Sequence, residues 1–293
     1  MTEESTGTEK TGPRPLEGRS PIGHGNLDAL ARLLEIVDRL RAPDGCPWDL
    51  EQTVASMASS LVEEAFEAVE AIDRIAEGPE SSADDGDVIE ELGDLLMVIC
   101  LIAKIATQEG RFDLGLVATR VGDKLVRRHP HVFGDLEIDG SEVAIANWEK
   151  IKQAERREKK SDASALAGVP VALPALQRAD RLAAKSVSAG FCWSDSQGAF
   201  AKLREEVEEL ADVLADENPD PDRVESELGD VFLACAFLGH YLKIDPERAA
   251  RRAVRRFEER FRSMEDEIEG PLSKRTLEEL LGAWRRAKAR TDT

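Results

Sequence analysis

Glu63-Glu64-Ala65-Phe66-Glu67 and Glu91-Leu92-Gly93-Asp94-Leu95-Leu96-Met97-Val98-Ile99 decide how this chain is read. Both return further along, as Glu205-Glu206-Val207-Glu208-Glu209 and Glu227-Leu228-Gly229-Asp230-Val231-Phe232-Leu233-Ala234. Working outward from them, Gly45-Cys46-Pro47-Trp48-Asp49 precedes the first pair as Gly190-Phe191-Cys192-Trp193-Ser194 precedes the second. Lys124 and Arg128 follow in the first half, Arg256 and Arg260 in the second, and each half then reaches a tryptophan with basic residues after it, Trp148 and Trp284. An ordered set of this kind reads as the duplication of a single module.

The module is helical. Leu27, Leu30, Leu33, Leu34, Val37 and Leu40 recur at three- and four-residue steps, with Asn26 placed as a cap, and the pattern stops at Ala42-Pro43-Asp44-Gly45. Further helices are expected over about 53–76, 88–108 and 114–128, and around Trp148, with the acidic stretch 77–87 as a solvated loop. Alternating strand patterns are missing, and the chain has one tyrosine. The fold class is therefore all-α, as two tandem helical-bundle modules. We expect a disordered polar tail over 1–25, a first module over 26–152, a linker over 153–174 and a second module over 175–290. The charge run within 152–160 also suits the solvated end of the preceding helix.

The 39 basic and 59 acidic residues among 293 give a formal charge of −20, which argues against stable nucleic acid binding and leaves small charged substrates open. Cys46, Cys100, Cys192 and Cys235 form no CxxC pair and suit a reducing cytoplasm. The longest apolar run, 95–103, is far short of the roughly 20 residues that span a bilayer. No membrane association is expected.

Within each module, two helices carry carboxylates three residues apart: Glu64 with Glu67 and Glu91 with Asp94, then Glu206 with Glu209 and Glu227 with Asp230. Three residues is nearly one turn, so each pair shares a face, and packing the two helices together would converge four carboxylates. Such a cluster is tolerable around a hard cation, and oxygen-only ligands favour Mg²⁺, or Mn²⁺, over zinc or copper. Asp94 and Asp230 each lead into an apolar run, which places them partly in the core. Gly93 and Gly229, inside helices, call for close approach by a helix or a ligand. Lys124, Arg128, Arg256 and Arg260 are candidate phosphate clamps, or else surface charges at helix ends. The four tryptophans read as packing anchors, with stacking on a base as the second reading.

Taken together, these residues resemble the MazG family of nucleoside triphosphate pyrophosphohydrolases, marked by EExxE followed later by ExxD. Both marks occur twice here, and Arg127-Arg128-His129-Pro130-His131-Val132-Phe133 and Arg256-Phe257-Glu258-Glu259-Arg260-Phe261 are further MazG-like stretches. The resemblance spans about 27–289. It implies an all-α pyrophosphohydrolase fold whose bundles are completed by two subunits, a homodimer, with Mg²⁺ at each active site. It also implies broad, Mg²⁺-dependent hydrolysis of canonical and altered nucleoside triphosphates to monophosphate and pyrophosphate. By analogy Glu206, Glu209, Glu227 and Asp230 hold the metal at the main catalytic site, and Lys202, Arg256, Arg260 and Trp284 contact the nucleotide. The first module keeps its own acidic set, with Lys124 and Arg128 in the basic positions. Arg256 stands where relatives commonly carry lysine, exchanging a point charge for a planar fork.

Three other readings share parts of this pattern. A dUTP- or dCTP-restricted pyrophosphatase of the same superfamily would carry the same acidic motifs, and a non-catalytic helical scaffold would keep the fold alone. A di-iron carboxylate bundle would need Glu-x-x-His, which occurs nowhere in the chain.

Overall fold

In a computed structural model, which describes residues 24–75, 85–158 and 164–291, every regular element is helical and no strand occurs among the described residues. The chain divides into two compact units, Met1–Lys159 and Lys160–Thr293. The expected tail over 1–25 lies almost wholly outside the described residues, as do most of the acidic stretch 77–87 and the end of the charge run, 159–160.

The first unit comprises α1 (His24–Leu40), α2 (Pro47–Glu51), α3 (Met57–Ile75), α4 (Asp85–Gln108), α5 (Leu114–Arg128), α6 (Pro130–Phe133) and α7 (Ser141–Glu158). Asn26, expected as a cap, falls inside α1. Asp85 and Asp87 open α4 rather than closing a loop, where their charge suits the helix N-terminus. The charge run continues α7 through Glu158, so the helix end extends into the expected linker. Val37, Met57, Val98, Cys100, Leu101 and Ile105 form a buried core against which Leu33, Leu34 and Leu61 pack. Arg41, almost fully buried, fastens this unit: its guanidinium donates to the carbonyls of Asp49 and Gln52 and, at 2.7 Å, to Gln108 Oε1. Gln108 Nε2 donates back to the Arg41 carbonyl, so the end of α4 is tied to the end of α1.

The second unit comprises α8 (Ala175–Ser188), α9 (Ser196–Leu214), α10 (Pro221–Leu242), α11 (Pro246–Glu267) and α12 (Leu277–Thr291). Three of its helices, α9, α10 and α11, begin on aspartates: Asp195, Asp220 and Asp245 each accept from backbone N–H groups of the first turn, and proline takes the first helical position of α10 and α11. The buried set is rich in alanine (Ala179, Ala183, Ala199, Ala234, Ala236, Ala283, Ala287), which lets helix backbones approach closely. Met264, Ala283 and Ala287 pack with Phe261 and Trp284 where α11 meets α12. Tyr241, the chain's single tyrosine, accepts from the Trp193 backbone N–H at 2.7 Å, and Trp193 packs edge-on to Phe237 and Tyr241.

The matched glycines before the two tryptophan segments serve different ends. A Cβ on Gly45 would strike the Leu40 carbonyl oxygen at 2.1 Å, whereas Gly190 has open space and a φ of +94°. Gly93 and Gly229 meet nothing within 4 Å, so among the described residues no helix makes the approach for which a helix or a ligand was expected. No helix among the described residues is long and apolar enough to cross a membrane.

Two substitutions check this packing. Leu101→Ala is expected to remove about 2–5 kcal/mol from the first unit, read as an earlier urea unfolding transition. Gly229→Ala, with open space around it, is expected to raise stability by about 1 kcal/mol. A loss there would mean that something packs on that face.

Candidate metal and phosphate site

Each unit delivers its acidic residues from one helical hairpin. In the second, the short connection between α9 and α10 brings Glu206 and Glu209 from one helix beside Glu227 from the other. One carboxylate oxygen from each of these three lies within 4.8 Å of the others, and Glu64, Glu67 and Glu91 do the same between α3 and α4. Oxygens around an octahedral ion with bonds of about 2.0–2.1 Å are roughly 3–4 Å apart. The donor set and its spacing therefore fit a hard divalent cation.

The fourth acid of each set sits a little apart. Asp230 is half-buried and outside the group of three. Asp94 is exposed rather than in the core, although its charge is felt at Glu64. The apolar run that follows it turns Val98, Cys100 and Leu101 inward and leaves Asp94 and Leu96 facing out, because a helix buries one stripe and not a segment.

Crowding shows in the acid strengths. Desolvation, then repulsion from Glu67, Asp94 and Glu91, raises the Glu64 carboxyl above the usual range. Glu91 is raised by desolvation and by Glu67, with Arg74 opposing. Glu209 is raised by desolvation and by its contact with Glu206. Glu206 itself is buried and finds its counter-charge within the same helix, 2.7 Å from Lys202 Nζ, while Glu205 takes Lys202 at 2.5 Å. Between these two carboxylates the Lys202 ammonium is held well above its ordinary value.

Next to the second cluster is an open depression of about 500 Å³ lined by Glu209, Asp212, Val213, Asp216, Arg223 and Glu227. Asp212, Asp216 and Arg223 were not singled out from sequence, since charged residues on a helix are ordinary until a tertiary cleft gathers them. The corresponding positions of the first module hold the opposite polarity: Arg74, at the end of α3, faces Asp87 at 3.8 Å.

The expected phosphate contacts are arranged differently in the two units. On α11, Arg256 is exposed and Arg260 half-buried, and Trp284 on α12 packs 5.2 Å from Phe257 between ring centres. On α5, Lys124 is exposed, whereas Arg128 is drawn to α7, donating to Glu155 at 2.7 and 3.2 Å. The Trp148 ring carries Lys152 Nζ at 4.1 Å and the Arg128 guanidinium carbon at 5.8 Å. Trp48, read as a packing anchor, is 57% exposed.

Comparison with known proteins follows the same two segments. A family model for the MazG nucleotide pyrophosphohydrolase domain matches residues 52–133 and 195–264. The nucleoside triphosphate pyrophosphohydrolase/pyrophosphatase MazG of Thermotoga maritima is 38% identical over 264 residues, 89% of this chain and 96% of that relative. A nucleoside triphosphate pyrophosphohydrolase of Escherichia coli K12 is 39% identical over 240 residues, 82% of this chain and 88% of that relative. The protein YabN of Bacillus subtilis is 37% identical over 256 residues, 86% of this chain and 50% of that relative.

Because the raised carboxyls hold protons more tightly folded than unfolded, their share of stability is present below the ordinary carboxylate range and is lost as pH rises through the raised values. A cation substitutes for those protons. Mg²⁺ is therefore expected to raise the Tm clearly at pH 7.5 and much less at pH 5, measured by scanning calorimetry; an equal shift at both would contradict proton competition at the clusters.

Proposed function

We propose, on the premise that this chain belongs to the MazG family of nucleotide pyrophosphohydrolases, that it cleaves nucleoside triphosphates to a monophosphate and pyrophosphate, chiefly at its second module. The observation that carries this reading is the convergence of Glu206, Glu209 and Glu227 within 4.8 Å, beside an open depression and inside a family-matched segment.

Glu206, Glu209 and Glu227, with Asp230, would hold a divalent ion, taken to be Mg²⁺ with Mn²⁺ as the alternative. When bound, such an ion polarises phosphate oxygens and offsets the charge of the cluster. The chain's own residues do the rest. Lys202 pairs with Glu206 and holds it in place, and its ammonium lies next to the cluster where a phosphate oxygen would arrive. Glu209, with its carboxyl already raised, suits the removal of a proton from an attacking water. Arg256 and Arg260 supply donors for the charge that grows on departing pyrophosphate, and Trp284 borders them through Phe257.

The apolar side chains Phe200, Val207, Leu228 and Phe232 on α9 and α10 are exposed by 42–55%, which supports a homodimer in which these helices complete a bundle with a second copy. Broad acceptance of nucleobases follows from placing recognition on the phosphates. A dUTP- or dCTP-restricted enzyme is separated from it by the panel below.

The test supplies ATP, GTP, CTP and dUTP with Mg²⁺ and identifies products. Monophosphate and pyrophosphate in equal amounts from several bases are expected. Release of orthophosphate contradicts the reading, and a folded chain without turnover leaves the helical scaffold in its place. Glu209→Gln is expected to lower kcat about 100-fold or more, and Glu67→Gln far less, by steady-state assay.

A further inference from the structure

Both units tie their last two long helices together with one carboxylate and two arginines, but with different residues. In the second, Glu267 at the end of α11 accepts from Arg286 and Arg290 of α12. The clasp there lies seven residues beyond Arg260. In the first, the polarity is reversed: Glu155 of α7 accepts from Arg127 Nε at 2.7 Å and from Arg128 Nη2 at 2.7 Å and Nε at 3.2 Å. Arg128 is the residue that answers Arg260. The position seven residues after each unit's tryptophan is Glu155 in one case and Thr291 in the other, so the second unit has no acid there.

The first-unit clasp is built rather than incidental. Arg128 and Glu155 are each less than one-fifth exposed, and the Nε and Nη2 donors of Arg128 both point at one carboxylate oxygen, Oε2. The pair of arginines holds the Glu155 carboxyl down to about 2, so it stays an anion throughout the neutral range. Below it, Trp148 carries Lys152, which Glu149 also takes at 2.7 Å. A carboxylate and a phosphate present the same acceptor geometry to arginine.

We infer that Glu155 is an internal stand-in for phosphate: it occupies Arg127 and Arg128, the latter 5.8 Å from the centre of the Trp148 ring, so the first module takes up a nucleoside triphosphate only when this clasp opens. The inference rests on the proposed nucleotide chemistry. Apparent affinity is the intrinsic affinity multiplied by the fraction of molecules with the clasp open. Removing the competitor therefore raises it.

The experiment uses the full chain carrying Glu209→Gln and Asp230→Asn, which silences the second module, and measures binding of a non-hydrolysable α,β-methylene ATP with Mg²⁺ by calorimetry. Adding Glu155→Gln is expected to tighten binding about tenfold or more, and adding Arg128→Ala to that chain to abolish the gain. Unchanged affinity with and without Glu155→Gln overturns the inference, as does a gain that survives loss of Arg128. Glu155→Asp, which keeps the charge and shortens the reach, serves where the glutamine variant loses helix content, with the same two outcomes. Glu155→Gln in the otherwise intact chain is expected to retain second-module turnover. An intact chain with no turnover of any nucleotide overturns the pyrophosphohydrolase reading, independently of what Glu155 does.

Discussion

Carboxylates forced together on two packed helices need positive charge, and the arrangement of both units follows from how that charge is found. In the second, Lys202 lies one turn before Glu206 and neutralises it from the same helix. In the first, Arg74 opposes the rise at Glu91 while engaged with Asp87. Neither arrangement supplies enough for three acids within 4.8 Å, and Glu64, Glu91 and Glu209 are weakened as acids, first by desolvation and then by the carboxylates beside them. A divalent cation is the economical remedy, because one ion meets several oxygens at once.

Duplication preserved the acids and let their surroundings diverge. Arg74 and Asp87 correspond in position to Asp216 and Arg223, so the charges bordering the two clusters have exchanged helices. The clasps near the ends of the units differ in the same way, with Glu155 on the last helix of one and Glu267 on the penultimate helix of the other. Both solutions join helices by forked arginine–carboxylate bonds, and in the first unit one of the arginines is Arg128, proposed above as a phosphate contact. Matching acids with rearranged cations are what is expected when two copies keep a common scaffold while the residues around it change.

Much of this was legible in the sequence where local periodicity governs. The span of α5 was read as it stands, its start set by Asp113 accepting from Leu116 N and its end by the histidine and proline that follow. The carboxylate spacing likewise announced which faces would meet, since three residues make nearly one turn. What escaped depended on partners far along the chain. Glu155 lies 27 residues from Arg128, and nothing in the pattern around either names the other. Asp94 illustrates a subtler failure: an apolar run suggested burial, but the helix turned its acidic position outward. Gly93 and Gly229 suggested contact, and the described residues offer none.

A chain with a single tyrosine carries its own optical label. Tyr241 is hydrogen-bonded through its hydroxyl to the Trp193 backbone and stacked edge-on against the indole, all within the second unit. Ultraviolet difference absorbance or a ring-proton resonance from that one phenol therefore reports on this unit alone, and excitation energy passing from it to Trp193 fades when the two separate. Loosening of one half of the molecule becomes visible without attaching a dye and without disturbing the other half.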